Sequence, residues 1–209
     1  MAFTVKMAIS AMEKFNVVIE GKKEYLTDLD SAIGDADHGI NMNRGMKSVV
    51  EKMRDKEYED FGGVFRSVAM TMMSVVGGSA GPLYGTFFMK FGQKLGTKSE
   101  VSISEIADAM EEGLAGIMSI GKSAPGDKTM IDSLAPAARA LKENAVGSDE
   151  AAWNQAVAEA EKGVEATIPM LARRGRSSYL GERSIGHQDP GATSSLYLIT
   201  CFRDAFLEG

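Results

Sequence analysis

Cysteine is nearly absent from this 209-residue chain, which contains Cys201 alone. One cysteine cannot form a disulfide within the chain or a thiolate cage around a metal ion, so disulfide-stabilised and zinc-cysteine architectures are excluded. Cys201 lies in the apolar run of residues 195–202. We therefore interpret it as a buried structural thiol.

The chain also lacks long apolar runs and any excess of basic residues. Its first ten residues give way quickly to charged ones, without the apolar core or cleavage site of a secretory leader. No segment is apolar over the length that crosses a bilayer. With 23 basic and 29 acidic residues the net charge is -6, unlike the basic surfaces that bind nucleic acid. We expect a cytoplasmic protein that binds neither membranes nor nucleic acid.

Prolines are few, and no linker-like, repeated or low-complexity segment divides the chain. Most of the five prolines fall where glycine also indicates a turn. Hydrophobic residues make up 44% of the chain and charged residues 25%, which is typical of globular proteins. A length of 209 residues suits one core. We predict a single domain over residues 1–209.

Alternating apolar and polar residues, the pattern of half-buried strands, are scarce. Apolar residues instead recur at helical spacing in eight segments, and Ser102 or Ser104, as well as Ser148, stand where helix N-caps are expected. Residues 25–33 form either a further helix or part of the first one. The pattern predicts an all-α fold, with the fourteen methionines as core filler. The eight segments are 3–19, 40–53, 61–76, 83–95, 103–120, 131–145, 151–168 and 193–207.

Three aspartates in the first connection between predicted helices indicate a metal site. Asp35 and Asp37 are one residue apart, so both carboxylates can point to the same side of an extended or turning backbone. Asp30 can join them from the last turn of the preceding helix. Crowded carboxylates repel one another unless a cation neutralises them, and oxygen ligands with open positions suit Mg²⁺.

The acidic segment has two other interpretations, a calcium-binding loop and a helix-capping loop. A calcium-binding EF-hand loop starting at Asp35 would place Ile40 at its required glycine and Met46 at its bidentate glutamate, so that interpretation fails. A loop that simply caps the helix beginning near Ile40 remains open from the spacing alone.

Three further glycine-bearing connections carry polar residues that suit a phosphorylated ligand. Residues 76–82 form a small-residue turn whose amide groups could hold phosphate oxygens, although it lacks the lysine and spacing of a P-loop. Residues 121–129 offer two lysines and a threonine, and residues 173–191 offer arginines and glycines beside Asp189. Alone, each is also compatible with an ordinary surface connection.

Both histidines of the chain fall in these connections. His38 follows Asp37, and His187 precedes Asp189 by two residues. Each could be a metal ligand, a phosphate donor, a site of covalent phosphorylation or a loop residue without such a role. The sequence leaves these alternatives open.

Taken together, the connections resemble those of one family. Residues 25–30, 33–43, 76–78, 81–83, 121–122, 125–130 and 179–193 closely resemble the ADP-binding L subunits of bacterial phosphoenolpyruvate-dependent dihydroxyacetone kinases. The resemblance spans essentially the whole chain in the same order. It implies an eight-helix antiparallel barrel with a nucleotide site at one end.

The same resemblance implies the ligands of that site. Asp30, Asp35 and Asp37 would hold two Mg²⁺ ions, and no side chain of this chain would act as a catalytic nucleophile. The residues expected around ADP are His38, Gly39, Ile40, Asn41, Gly78, Ser79, Ala80, Gly121, Met130, Arg176, Asp189, Pro190 and Gly191.

In that family ADP is a retained coenzyme. It takes a phosphoryl group from a phosphohistidine on the M subunit, exists transiently as ATP, and passes the group to dihydroxyacetone on the K subunit. The resemblance thus implies a phosphotransferase of the phosphotransferase system with M and K subunits as partners. A homodimer is a further candidate assembly. Since 209 residues leave no room for a fused substrate domain, we expect a stand-alone subunit.

Two other functions use the same residues. A noncatalytic module could bind the nucleotide and report phosphorylation state to a protein partner. A hydrolase could use Asp35 or Asp37 as an aspartyl-phosphate nucleophile, although such aspartates usually follow a buried strand and residues 25–33 have a helical pattern.

Overall fold

Helices dominate the structure, a computed structural model that describes residues 2–209. Eight α-helices and one short 3-10 helix, Arg176–Ser184, make up almost all of the regular structure in these residues. The all-α prediction is confirmed. The α-helices are α1 Val5–Ile33, α2 His38–Arg54, α3 Phe61–Val75, α4 Ala80–Leu95, α5 Ile103–Gly121, α6 Ile131–Asn144, α7 Asp149–Ala166 and α8 Pro190–Glu208.

Of the two alternatives for residues 25–33, the structure shows the second, since they continue α1 past Gly21, which sits in open space. One detail differs from the expectation. A short antiparallel ladder pairs β1, Phe3–Thr4, with β2, Glu100–Val101. Strands of two residues are too short to produce an alternating pattern, so the sequence does not reveal them.

The helices form a closed ring. Each packs against the next along the chain, and α8 packs against α1. The connections after α1, α3, α5 and α7 all contribute residues to one cavity, so these four connections lie at the same end of the ring. Neighbouring helices therefore run antiparallel, as short connections favour, and the even-numbered helices begin at the cavity end.

Side chains cap every helix that begins at the opposite end. The amides of Met7, Gly63, Glu105 and Ala151 donate to Thr4, Asp60, Ser102 and Ser148 at distances of 3.2, 2.7, 3.3 and 3.5 Å. Ser102 and Ser148 are the N-caps expected from the sequence. Each such cap stabilises its helix by about 1 kcal/mol.

Aromatic side chains fill the ring near this capped end. The rings of Phe3, Phe61, Phe65, Trp153 and Phe202 are all buried and stack on one another, with the Phe3 and Phe202 centroids 5.7 Å apart. Aromatic pairs contribute packing energy beyond the area they bury. The stable core thus lies away from the cavity and leaves the other end free to be polar.

Most helices that begin at the cavity end lack a cap from their N-cap side chain. No side chain caps the first amides of α4 or α6 from the N-cap position, and the N-cap of α2, Asp37, makes no such hydrogen bond. The exception is Asp189, whose Oδ2 accepts from Ala192 N at 2.7 Å and caps α8. Burial raises the pKa of the Asp189 carboxyl to about 7.

Cysteine and most methionines are packed between the helices. Cys201 is buried, as expected, and burial raises the pKa of its thiol to about 12. Most methionines lie in the core, although Met70, Met73 and Met118 are exposed. None of the helices in residues 2–209 is long and apolar enough to cross a membrane.

The buried Asp189 predicts a pH dependence of stability. Its folded pKa of about 7 lies above the unfolded value near 3.8, so its stabilising contribution is complete below pH 3.8 and is lost as the pH rises through 7. Asp189→Asn keeps an oxygen for the cap but does not titrate. Urea unfolding of the nucleotide-free and metal-free protein from pH 5 to 8 should show the variant gaining on wild type by at most about 1.4 kcal/mol per pH unit.

Asp60→Asn, the same change at the N-cap of α3, controls for the substitution itself. A stability difference between wild type and Asp189→Asn that stays constant across this pH range would contradict the prediction.

Candidate functional site

A cavity of about 440 Å³ opens where the four connections meet. Its wall contains most of the residues that the sequence singled out. Gly39, Ile40 and Asn41 are outside the lining. The expected residues that line it are Asp30, Asp35, Asp37, His38, Gly78, Ser79, Ala80, Gly121, Met130, Arg176, Asp189, Pro190 and Gly191.

Three carboxylates converge on one side of the cavity. One oxygen from each of Asp30, Asp35 and Asp37 lies within 4.8 Å of the other two. Asp30 is buried in the last turn of α1, whereas Asp35 is exposed in the connection. The chain turns sharply between them, and Gly34 has no room for a side chain because a Cβ there would lie 2.0 Å from Asp30 Oδ1.

Asp30 has a second task. Its Oδ2 accepts hydrogen bonds from the amides of Asp37 and His38 at 2.8 and 3.1 Å, which satisfies the first amides of α2. The start of α2 is therefore capped by Asp30 of the preceding helix, whereas Asp37 at the N-cap position makes no side-chain cap. A carboxylate held in this way is preorganised to present its remaining oxygen.

The charge balance of the cluster fits a hard cation. The ion pair at these carboxylates joins Arg176 Nε to Asp35 Oδ2 at 2.9 Å, and both side chains are partly exposed. One guanidinium does not balance three carboxylates, and their mutual repulsion favours a further cation. Oxygen ligands that face an open cavity suit Mg²⁺, which keeps positions for water or phosphate oxygens.

The α3–α4 connection brings uncapped amides to the cavity beside this cluster. Gly78 has a φ of +65°, and α4 begins immediately afterwards at Ala80 without a side-chain cap. Gly81 allows the tight turn, since a Cβ there would lie 2.3 Å from Val76 O. Free amides at a helix start, together with the helix dipole, form a site for an anion such as phosphate.

Asn41 supports that turn from behind. Its side chain lies under Gly77, where an added Cβ would be 3.1 Å from Asn41 Oδ1. Arg44 donates to Asn41 Oδ1 at 2.8 Å and to Val75 O at 3.1 Å. Gly39 is also a packing residue, because a Cβ there would lie 2.0 Å from the Lys23 carbonyl oxygen of α1.

His38 is held in a buried polar network. Its Nε2 lies 2.9 Å from Ser194 Oγ, which donates to Gly191 O at 3.1 Å and lies 2.8 Å from Tyr84 Oη. Which of His38 Nε2 and Ser194 Oγ donates in this contact depends on the imidazole tautomer. Burial lowers the pKa of His38 to about 4, so the imidazole is neutral near pH 7.

His187 is placed quite differently. Its side chain is exposed and does not line the cavity, whereas its carbonyl oxygen accepts from Lys128 Nζ at 2.5 Å. The sequence left the same roles open for both histidines, but in the structure His38 is buried at the cavity and His187 is exposed outside its lining.

Part of the cavity lining is apolar. Leu83, Ile117, Ile120 and Met130 form this part, beside the glycine at the end of α5, Gly121. Apolar walls with a few fixed polar groups are typical of sites for planar organic ligands. The cavity therefore joins an anion-and-metal side to a side that suits an aromatic ring.

Several lining residues were missed from the sequence or left undecided. Tyr84 lies inside a helix, and neither its spacing nor that of its partner Ser194 carries a motif. Arg174 pairs with Asp127 at 3.1 Å, and Lys128 is 1% exposed. Their partners lie far away in sequence, so no local signal could have identified them.

The chain is similar in sequence to proteins of one family. Residues 32–204 match the DAK2 domain family. The chain is 45% identical over 184 residues to the PEP-dependent dihydroxyacetone kinase, ADP-binding subunit DhaL, of Escherichia coli K12, covering 87% of this chain and 88% of that protein. A Listeria innocua protein named the ADP-binding subunit DhaL of PEP-dependent dihydroxyacetone kinase 1 is 41% identical over 95% of both chains.

Solved structures agree on the fold. The dihydroxyacetone kinase of C. freundii in its native form superposes with a TM-score of 0.74 over 96% of this chain at 23% identity. The same enzyme in complex with AMP-PNP and Mg²⁺ gives a TM-score of 0.75 over 98% at 22% identity. This chain spans about a third, 34%, of that enzyme. At this identity the likeness shows the fold alone.

The relatives named DhaL align with the chain over most of its length and most of their own, which the longer kinase does not. On these matches and on its closed ring of eight helices, the chain belongs to the DAK2 domain family, in the group of the ADP-binding DhaL subunits.

Proposed function

We propose that this chain is the ADP-binding subunit of a phosphoenolpyruvate-dependent dihydroxyacetone kinase. In this proposal a retained ADP takes a phosphoryl group from the phosphohistidine of an M subunit and, after a transient ATP state, passes it to dihydroxyacetone on a K subunit. The observation that carries it is one cavity in which a cluster of three carboxylates adjoins the uncapped start of α4.

The carboxylate side would hold two Mg²⁺ ions through Asp30, Asp35 and Asp37. When bound, the ions would neutralise charge on the phosphates. Asp30 is fixed for this task by the amides of Asp37 and His38. The neutral His38 would contribute an uncharged nitrogen beside these ligands, and it is kept in place by Ser194.

The remaining lining would position the nucleotide. Gly78, Ser79 and Ala80 would present amides to phosphate oxygens at the start of α4. Gly121 and Met130 border the apolar wall, where the adenine would lie. Asp189 would keep the start of α8, with Pro190 and Gly191, in position against the nucleotide.

Arg176 would change partner during binding. Its guanidinium pairs with Asp35 at 2.9 Å and is about two-thirds exposed, so it can reorient at low cost toward a phosphate. Gly39, Ile40 and Asn41 would act through the backbone at the start of α2 and, in the case of Asn41, by supporting the glycine turn. In this proposal catalysis rests on positioning and charge stabilisation, without a nucleophile from this chain.

The two alternative functions differ in their support. A noncatalytic nucleotide sensor would use the same cavity, and turnover separates it from the kinase subunit. An aspartyl-phosphate hydrolase is disfavoured because Asp35 and Asp37 follow a long helix and because their cluster is already engaged by Arg176. Such nucleophiles need room for attack on a bound phosphate ester.

Retained nucleotide is the first expected result. Protein purified with Mg²⁺ throughout and then denatured should release ADP in roughly equimolar amount, detected by chromatography of the supernatant, because a coenzyme must stay bound between turnovers. Material treated with a chelator before purification serves as the control and should release much less. Protein that contains no adenine nucleotide even with Mg²⁺ present would remove the central claim.

Removal of single carboxylates tests the metal ligands. Asp35→Ala and Asp37→Ala should weaken Mg²⁺-dependent ADP binding by more than about a hundredfold in titration calorimetry, since direct ligands matter at least as much as their supporting groups. Helical circular dichroism should be unchanged. Asp28→Ala removes an exposed carboxylate of α1 outside the cavity and is the matched control. Equal affinity in all three variants would refute the assigned ligands.

Reconstitution distinguishes the kinase subunit from the sensor. The protein mixed with M and K subunits, the general phosphotransferase components, phosphoenolpyruvate and dihydroxyacetone should produce dihydroxyacetone phosphate, measured by a coupled assay. Asp35→Ala should reduce the rate at least about a hundredfold in the same mixture because ADP is lost. Nucleotide-loaded wild-type protein that gives no product would favour the sensor.

A further inference from the structure

The connection between α7 and α8 is the longest in the ring and forms one wall of the cavity. It runs through residues 167–189 and brings Arg174, Gly175, Arg176 and Ser177 to the lining. A 3-10 helix is its only regular element within the described residues, and connections of this length need specific contacts to be ordered. Specific contacts must therefore hold this connection in place.

Lys128 provides five of these contacts from the α5–α6 connection. Its side chain is 1% exposed, although lysine is rarely buried without a partner. The ammonium group lies within hydrogen-bonding distance of five backbone carbonyl oxygens. They belong to Thr167 at 2.8 Å, Ile168 at 3.4 Å, Met170 at 3.2 Å, Ser184 at 2.7 Å and His187 at 2.5 Å.

These oxygens form a cage around a cation. An ammonium group has three hydrogens, so five acceptors must share them, as oxygens around a spherical cation do. Three of the carbonyls follow the end of α7 and two precede the start of α8, so one charge joins both ends of the connection. Burial lowers the pKa of the Lys128 ammonium group, and the Asp189 carboxylate opposes this shift. Without such partners a buried cation would be strongly unfavourable.

The backbone at Lys128 supports the same conclusion. Its φ is +63°, in the left-handed region that lysine adopts only at a cost. A glycine would satisfy this backbone more easily. The side chain is therefore the reason for a lysine at this position.

We infer that the carbonyl oxygens of residues 167–187 form a site for a monovalent cation of ammonium size, which the chain fills with its own Lys128 side chain. The bound charge anchors the α7–α8 connection and so positions Arg176 and Asp189 at the cavity. Lys128 is thus a positioning residue, and its ammonium group is not available to a ligand. The segment is also held by the ion pairs of Arg174 with Asp127 and of Arg176 with Asp35, and by hydrogen bonds such as Gly186 N to Ile168 O at 2.8 Å.

Removal of the side chain should leave the cage open. In Lys128→Ala, amide hydrogen exchange of residues 167–189, measured by mass spectrometry, should rise by about tenfold or more, because hydrogen bonds to charged groups are the stronger ones. Ammonium or potassium chloride should restore much of the protection. Tetramethylammonium chloride at equal ionic strength should not, since it offers no N–H and is too large for the cage.

Two variants control the experiment. Lys122→Ala removes an exposed lysine of the same connection that also has a positive φ, +48°, so both alanine variants share the backbone effect. Its exchange should match wild type. Lys128→Met fills the space without a charge, and its raised exchange should not respond to ammonium.

The outcomes are decisive in both directions. Raised exchange confined to residues 167–189 and reversed by ammonium supports the inference, as does a Lys128→Ala protein that folds only when ammonium is supplied. Unchanged exchange, a uniform rise over all helices, or no ammonium effect on Lys128→Ala overturns it. If Lys128→Ala folds neither with nor without ammonium, the Lys128→Met variant decides. Exchange of residues 167–189 in Lys128→Met that equals the wild-type exchange would then overturn the inference. No nucleotide is needed, so the result is independent of the proposed function.

Discussion

The two ends of the ring differ in whether side chains cap the first amides of the helices, and the rest of the structure depends on this difference. Where the odd-numbered helices begin, Thr4, Asp60, Ser102 and Ser148 satisfy the first amides with side-chain oxygens. Where the even-numbered helices begin, three of four starts lack a cap from the N-cap side chain. Each missing cap costs about 1 kcal/mol, and the amides it leaves free can bind an anion. The aromatic core at the capped end offsets this loss.

Buried carboxylates satisfy two of the helix starts at the cavity end. Asp30 replaces the missing cap of α2, and Asp189 is itself the N-cap of α8. Both residues also line the cavity, so the same side chains stabilise the fold and shape the site. Buried charges in low dielectric are unfavourable without partners, which makes this end the one that a ligand can stabilise most.

Much of this architecture could be predicted from the sequence, and the remainder could not for physical reasons. Helical periodicity gave seven helices close to their observed bounds, and the spacing of Asp35 and Asp37 correctly predicted convergence with Asp30. The carbonyl cage of Lys128 was invisible because its acceptors are backbone atoms, which every residue type has. The contact of His38 with Ser194 joins residues 156 positions apart, and no motif marks either partner.

The positive groups of the site explain what kind of ligand it can take. His38 is neutral because burial lowers its pKa to about 4, and the charge of Lys128 is directed into five carbonyl oxygens. Arg176 is the cation that pairs with one of the three carboxylates, Asp35. A bare polyphosphate would therefore meet net repulsion in front of the uncapped amides of α4. An anion that carries divalent cations with it would meet less repulsion from these carboxylates.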